Sequence, residues 1–183
     1  HPNDLTWTAN EQKAYWINAY NAFTVWLILK NYPVKSIKEI KSGIPFINSV
    51  WDIKFISIGQ KKYDLNNIEH QILRKKYDDP RIHFAVNCAS YSCPRLMNFA
   101  YEAQTLDVQL DMAAKTFLQD TTKNILTLHQ VKLSKIFSWY SGDFKNSSKN
   151  IIEYINRFLK YPVSEDAKIE YLPYKWDLND QSH

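Results

Sequence analysis

A chain of 183 residues is of single-domain size and long enough to bury roughly 70% of the surface its unfolded form exposes. With 45% apolar and 23% charged residues it is neither a disordered polyelectrolyte nor a membrane protein, and its longest nearly apolar run, residues 22–29, falls far short of the roughly 18 residues a spanning helix needs. The 23 Lys and Arg against 19 Asp and Glu leave a net charge of +4 spread along the chain, which argues against nucleic acid as a partner, and three isolated glycines (Gly43, Gly59, Gly142) exclude glycine-rich phosphate and dinucleotide loops.

The first strong element spans about residues 10–30, where Ala14, Ile17, Ala22, Val25, Trp26 and Leu29 recur near the helical period and Pro33 marks the end. Asn18 and Asn21 sit three apart on one side of it, either bonding neighbouring loops or holding active-site backbone in place. Lys35, Lys38 and Lys41 interleave with Ile37 and Ile40 as the wet side of a short amphipathic helix.

Residues 55–58 and 61–63 predict a β-hairpin turning at Gly59 and Gln60, after which Asp64 caps a helix over about 65–76. At about 100° per residue, Leu65, Ile68, Ile72 and Leu73 form its apolar stripe. Glu69 falls near the centre of that stripe and His70 well off it. A carboxylate aimed at a core must be paired, and His83, Arg81 and Arg74 are the expected partners of Glu69.

After Pro80 the pattern changes to period two: Ile82, Phe84 and Val86 alternate with Arg81, His83, Ala85 and Asn87, which predicts a central strand with one polar face. The small and polar run from Cys88 to Pro94 then leads to a predicted helix start that puts Cys93 at a helix N-terminus. A long helix follows through Leu106, Leu110, Ala113, Ala114, Phe117 and Leu118. Beyond it come a second hairpin (residues 125–128 and 131–133), a short helix capped by Ser134 and ending at Gly142, and a helix marked by Ile151, Ile152, Ile155, Phe158 and Leu159. The aromatic tail, with Tyr171, Tyr174 and Trp176, has no clear period. The expected architecture is α+β: one helix-rich domain over residues 1–183 with a small mixed or antiparallel sheet.

Five candidate groups converge in a short stretch: Glu69, His70, His83, Cys88 and Cys93. His1, His129 and His183, at the termini and in a hairpin turn, carry no functional expectation. Thiol, imidazole and carboxylate form the minimum set for nucleophilic acyl chemistry, in which the imidazole takes the thiol proton and the carboxylate fixes the imidazole tautomer.

Four segments, residues 14–22 (AYWINAYNA), 68–74 (IEHQILR), 80–94 (PRIHFAVNCASYSCP) and 174–179 (YKWDLN), resemble the signature blocks of the DUF547 family, a domain of unknown function found in bacteria and within longer plant and animal proteins. The resemblance runs over nearly the whole chain and brings no settled activity. By analogy of residue types, with histidine before cysteine, it suggests a permuted papain-like or transglutaminase-like thiol enzyme. The family block can carry serine at the position of Cys93, which favours Cys88 as nucleophile, whereas a helix N-terminus would favour Cys93. Strand alternation would place Cys88 among packing residues unless the loop has already begun. His83 is the expected base with His70 the alternative, and Asn87 or Ser90 the expected oxyanion donor.

The expected activity is therefore a thiol-dependent hydrolase or acyltransferase acting on an amide or peptide-like bond through Cys88, His83, Glu69 and Cys93. The alternative is a binding module for peptide or glycan, supported by an aromatic content of 15%. A metal site from His70, His83, Cys88 and Cys93, with 12, 4 and 4 residues between successive members, matches no common zinc spacing, so neither metal nor cofactor is expected. The chain starts at His1 and not at a methionine, which leaves the compartment open, with export to the periplasm or exterior the expectation carried forward and a Cys88–Cys93 disulfide one consequence of it. Oligomeric state is not readable from the sequence.

Overall fold

A computed structural model describes residues 6–41 and 49–180; His1, His183 and Gly43 lie outside the described residues. The architecture is α+β. Helix α1 (Ala9–Asn31) starts at a capping box, in which the Thr8 side chain accepts from the Glu11 amide and Glu11 reaches back to the Thr8 amide. It buries Ala14, Ile17, Tyr20, Asn21, Thr24, Leu27 and Ile28, while Ala22, Val25, Trp26 and Leu29 are exposed, so the apolar stripe expected for its second half lies on the wrong side. Thr24 and Asn21 are buried on the face where periodicity sought only apolar residues.

The first hairpin forms as expected from β1 (Ile56–Ile58) and β2 (Lys61–Tyr63), with Gly59 at φ 60° in the turn. Asp64 accepts from the Asn67 amide at 2.6 Å and starts the next helix. That helix is a π-helix over Asn67–Leu73 that tightens into the α-helical turn α2 (Arg74–Lys76). The wider π turn changes the angle between successive side chains, with consequences for His70 described below.

The strand expected over residues 82–87 does not exist. Ile82–Ala85 is a single helical turn, α3, closed by the Val86 amide donating to the Ile82 carbonyl at 3.1 Å. All six residues from Ile82 to Asn87 are buried, so the apparent polar alternation reflects internal bonding by His83 and Asn87 and not a solvated strand face. No helix begins at Pro94 either: its carbonyl is taken by the Asn87 side chain at 2.7 Å, and the next helix is α4 (Leu106–Gln119).

The C-terminal part holds β3 (Ile125–Leu126), β4 (Gln130–Leu133), α5 (Ile136–Trp139), α6 (Ser141–Asn146), α7 (Ile151–Asn156) and β5 (Lys168–Tyr171). The hairpin β3–β4 is antiparallel as expected, and β5 from the aperiodic tail adds to β4 in parallel, making the small sheet mixed. Gly142 lies inside α6 and does not end a helix, and the Ser134 hydroxyl accepts from the Ile136 amide at 3.4 Å ahead of α5.

Two apolar cores result. One gathers α1, the π-helix, the first hairpin and Ile82, Ala85 and Val86; the other gathers α4 to α7 and β4 around Phe84, Phe117, Phe137 and Phe144. Within α3, Ile82 and Ala85 therefore serve one core and Phe84 the other. Segment 82–94 lies along the seam between them.

Candidate active site

A cavity of about 270 Å³ opens on that seam, lined by Tyr20 and Val86 from one core and Ile136 from the other. Glu69, His70, His83, Cys88 and Cys93 all line it. Side chains from five places in the sequence thus meet in one space.

The backbone around Cys88 is held from both sides. Asn21 of α1 donates to the Ala85 carbonyl and accepts from the Asn87 amide, each at 2.8 Å, which makes it a clamp on the residues immediately before the thiol. Asn87 turns its own side chain inward: Oδ1 accepts from the Ala89 amide at 2.8 Å, and Nδ2 donates to Pro94. One of the two Nδ2 protons is thereby committed to the loop. Ala89 has φ 59°, a left-handed conformation that costs an L-residue roughly 1–2 kcal/mol. The tail fixes the other side, with Tyr91 donating to Asp177 at 2.7 Å, Lys175 donating to the Ser92 hydroxyl at 2.9 Å and Ser90 bridged to Leu178.

This loop brings the Cys88 and Cys93 sulfurs to 2.9 Å, both as free thiols. Cys88 is partly exposed and Cys93 buried. The Cys88 sulfur is also 3.2 Å from the Ser90 hydroxyl and 3.3 Å from the Tyr174 hydroxyl, which are 2.8 Å from each other. Either thiol can donate across the pair; once Cys88 ionises, Cys93 must be the donor. Donation by Cys93, with Ser90 and Tyr174 adding to it, outweighs burial and the Glu69 charge and lowers the Cys88 pKa to about 7. Burial and the neighbouring sulfur push Cys93 well up instead. Cys93 owes nothing to a helix N-terminus.

His83 is anchored through one ring nitrogen. Nε2 lies 2.8 Å from Asp143 Oδ2, and the ring stacks on Tyr140 with centroids 3.9 Å apart and planes at 14°. Burial pulls the imidazole below its ordinary 6.5, more than the Asp143 carboxylate raises it. His83 is therefore neutral at neutral pH. Since a carboxylate can only accept, Nε2 carries the proton and the lone pair is on Nδ1. Nδ1 is buried and has no hydrogen-bond partner. Asp143 in turn accepts two bonds from Arg74, Nε at 2.7 Å and Nη2 at 2.9 Å, and His83 and Arg74 together hold its carboxyl well below the usual carboxylate range.

Glu69 is buried as expected, but its partner is neither His83, Arg81 nor Arg74. It accepts a 2.8 Å bond from the Tyr140 hydroxyl, while the Tyr20 hydroxyl, raised in pKa by burial and the Glu69 charge, makes no aligned bond. Arg81 is taken by Asp79, Asp107 and Asp111, each at 2.8 Å. His70, expected to point away, faces the cavity because the π-helix turns it there, and its Nδ1 is 3.2 Å from Arg74 Nη1. Among the described residues no three His, Cys, Asp or Glu side chains are gathered so as to hold a metal ion.

One wall of the cavity is aromatic. Trp139, Tyr174 and Trp176 pack with centroids 4.7 to 6.0 Å apart, Trp51 meets Trp176 at 5.4 Å, and Trp139 is 47% exposed.

Sequence reasoning missed Tyr140, Asp143 and Tyr174. Asp143 is 60 positions from His83 and stands in a short helix whose glycine was read as a stop. Tyr174 was signalled by the aromatic content of the tail and by the resemblance of segment 174–179 to a family block, neither of which gives it a role.

The profile of a family described as "Protein of unknown function, DUF547" matches residues 5–118. The match contains Glu69, His83, Cys88 and Cys93, whereas Tyr140, Asp143 and the tail segment 174–179 lie beyond it. No curated protein and no solved structure matches the chain.

Proposed function

The chain belongs to the DUF547 family, whose description assigns no activity, so we propose a function from the chemistry of the cavity: a thiol-dependent hydrolase or acyltransferase acting on an amide or peptide-like bond. Cys88 is the nucleophile, His83 the base and Asp143 the acid that orients it. The single observation that carries this reading is the state of His83: one nitrogen tied to a carboxylate, the other an unpartnered lone pair, in the same cavity as a thiol of pKa about 7.

The division of labour differs from a pair in which the imidazole ionises the thiol. Cys88 is bonded to Cys93, Ser90 and Tyr174 and not to His83, so the thiolate is stabilised by these donors. The thiolate attacks the carbonyl carbon, a carbon–sulfur bond forms, and the leaving amine departs with a proton taken from solvent, because the only ring proton of neutral His83 is committed to Asp143. Water or an acceptor amine then attacks the thioester, His83 Nδ1 takes its proton, and Cys88 is released as thiolate. Glu69 is a positioning residue: it holds Tyr140, whose ring is the surface on which His83 stacks. Histidine before cysteine, with the acid supplied later in the chain, agrees with the analogy to permuted papain-like enzymes at the level of residue types alone.

A second reading, a binding module for peptide or glycan, is favoured by the exposed aromatic wall around Trp139. Both readings are tested by treating the protein with a p-nitrophenyl acyl ester at pH 7 and following intact mass. A thiol enzyme acquires an acyl group on Cys88 and sheds it. In His83→Ala the adduct persists, with deacylation slowed about 100-fold or more, the usual contribution of a positioned base. A chain that never acylates at Cys88 is a binding module.

A further inference from the structure

Acyl chemistry needs one nucleophilic sulfur, and the cavity has two. Cys93 is buried, cannot meet a substrate in the present arrangement, and yet directs its sulfur at both the Cys88 sulfur and the Cys88 amide, each at 2.9 Å. A disulfide requires sulfurs at about 2.05 Å, so the pair must close by only about 0.9 Å. The intervening loop is bent, with Ala89 left-handed and the Cys93 amide donating to the Ser90 carbonyl at 3.0 Å. The tail bonds at Tyr91 and Ser92 hold that bend. Both residues line the cavity, Cys88 partly exposed and Cys93 buried beside it.

We propose that Cys88 and Cys93 form a reversible dithiol–disulfide couple that exchanges with low-molecular-weight disulfides, Cys88 as the attacking and Cys93 as the resolving sulfur. Cys88 thiolate attacks one sulfur of the small disulfide, a mixed disulfide forms on Cys88, and one small thiolate leaves and takes a proton from solvent. Cys93 then gives up its proton and attacks the Cys88 sulfur, and the second small thiol departs. Two electrons pass from the protein to the small disulfide, which is reduced to two thiols, and the reverse sequence regenerates the dithiol. The asymmetry of the pair, a lowered thiol in front and a raised one behind, fits this order of attack.

The test incubates the reduced chain with hydroxyethyl disulfide at pH 8, a small uncharged probe able to enter an aromatic cavity, and reads intact mass after acid quench. The wild-type chain loses the mass of two hydrogens, carries no adduct, releases two mercaptoethanol per chain and returns to its starting mass with dithiothreitol. Cys93→Ser, which keeps the attacking sulfur, stops at a stable mixed disulfide on Cys88. Cys88→Ser stays unmodified. A wild-type chain that retains both thiols, or that accumulates an unresolved adduct on Cys88, overturns the proposal, and this readout depends on no variant folding. The couple requires neither His83 nor an acyl group: an unresolved adduct on Cys88 overturns the couple while leaving Cys88 a nucleophile for acylation, and a deacylation insensitive to His83 leaves the couple standing.

Discussion

The Cys88 sulfur is a weak acid made stronger by what surrounds it, and the principal cause is its neighbour Cys93. Replacing Cys93 by Ala removes the main donor while leaving Ser90 and Tyr174 in place. The expected result is that the pH midpoint of Cys88 alkylation by iodoacetamide rises from about 7, with labelling roughly fivefold slower at pH 7 for a rise of about one unit. An unmoved midpoint would transfer the cause to the two hydroxyls. The same reasoning explains why the choice between the cysteines could not be made from spacing. The helix N-terminus that would have favoured Cys93 does not exist, since no helix starts there, and burial of Cys93 distinguishes the two instead.

Helix α1 does more than fill a core, because Asn21 makes two backbone bonds to the segment that carries Cys88. Asn18 does the same for Tyr101, donating to its carbonyl and accepting from its amide. Asn21→Ala leaves the Ala85 carbonyl and the Asn87 amide buried without partners. It should cost about 2 kcal/mol in urea unfolding, and slow Cys88 alkylation, if the clamp positions the thiol. Loss of stability with an unchanged alkylation rate would reduce Asn21 to a loop tie. Both readings of this asparagine pair were visible in the sequence; its partners were not, since they lie more than 60 residues away. The segment over residues 65–76 shows a subtler limit. Its helical extent and the burial of Glu69 follow from periodicity, but the π turn brings His70 to the cavity against an angle calculated for an α-helix.

Across the whole molecule, the seam between the cores leaves a buried neutral histidine, and that has a pH consequence. Burial lowers the folded pKa of His83 below its ordinary 6.5, so between those two values the unfolded chain binds the extra proton and the folded chain does not. Stability is therefore complete above about pH 6.5 and falls as pH drops toward the folded value. Asp143 has the opposite type of ionisation: its lowered pKa contributes stability above its ordinary 3.8 that is lost only at more acidic pH, so it does not shape this window. Urea midpoints measured at pH 7.5 and 5.5 should decline in the wild type and decline less in His83→Gln. An equal decline in both would assign the effect to other groups. Remote from the cavity, Asp79 ties Lys13 of α1 to Arg81, which pairs in turn with Asp107 and Asp111 of α4. This network joins elements of the two cores beside α3 and so helps fix the position of His83.

Local chemistry determined most of what lies within a dozen residues. The capped α1, the glycine-turned hairpin, the Asp64 cap, α4 and the second hairpin all arise from signals close in sequence. The residue types for thiol chemistry were also legible, as was their concentration in residues 69–93. Tertiary structure decided the rest. Residues 82–87 alternate like a strand, yet with two cores to serve and no strand paired with them among the described residues, Ile82–Ala85 closes its hydrogen bonds within its own backbone as a helical turn. The partner of Glu69 became Tyr140 and that of His83 became Asp143, because a buried polar group is satisfied by whatever donor or acceptor packing places within about 3 Å, however distant in sequence.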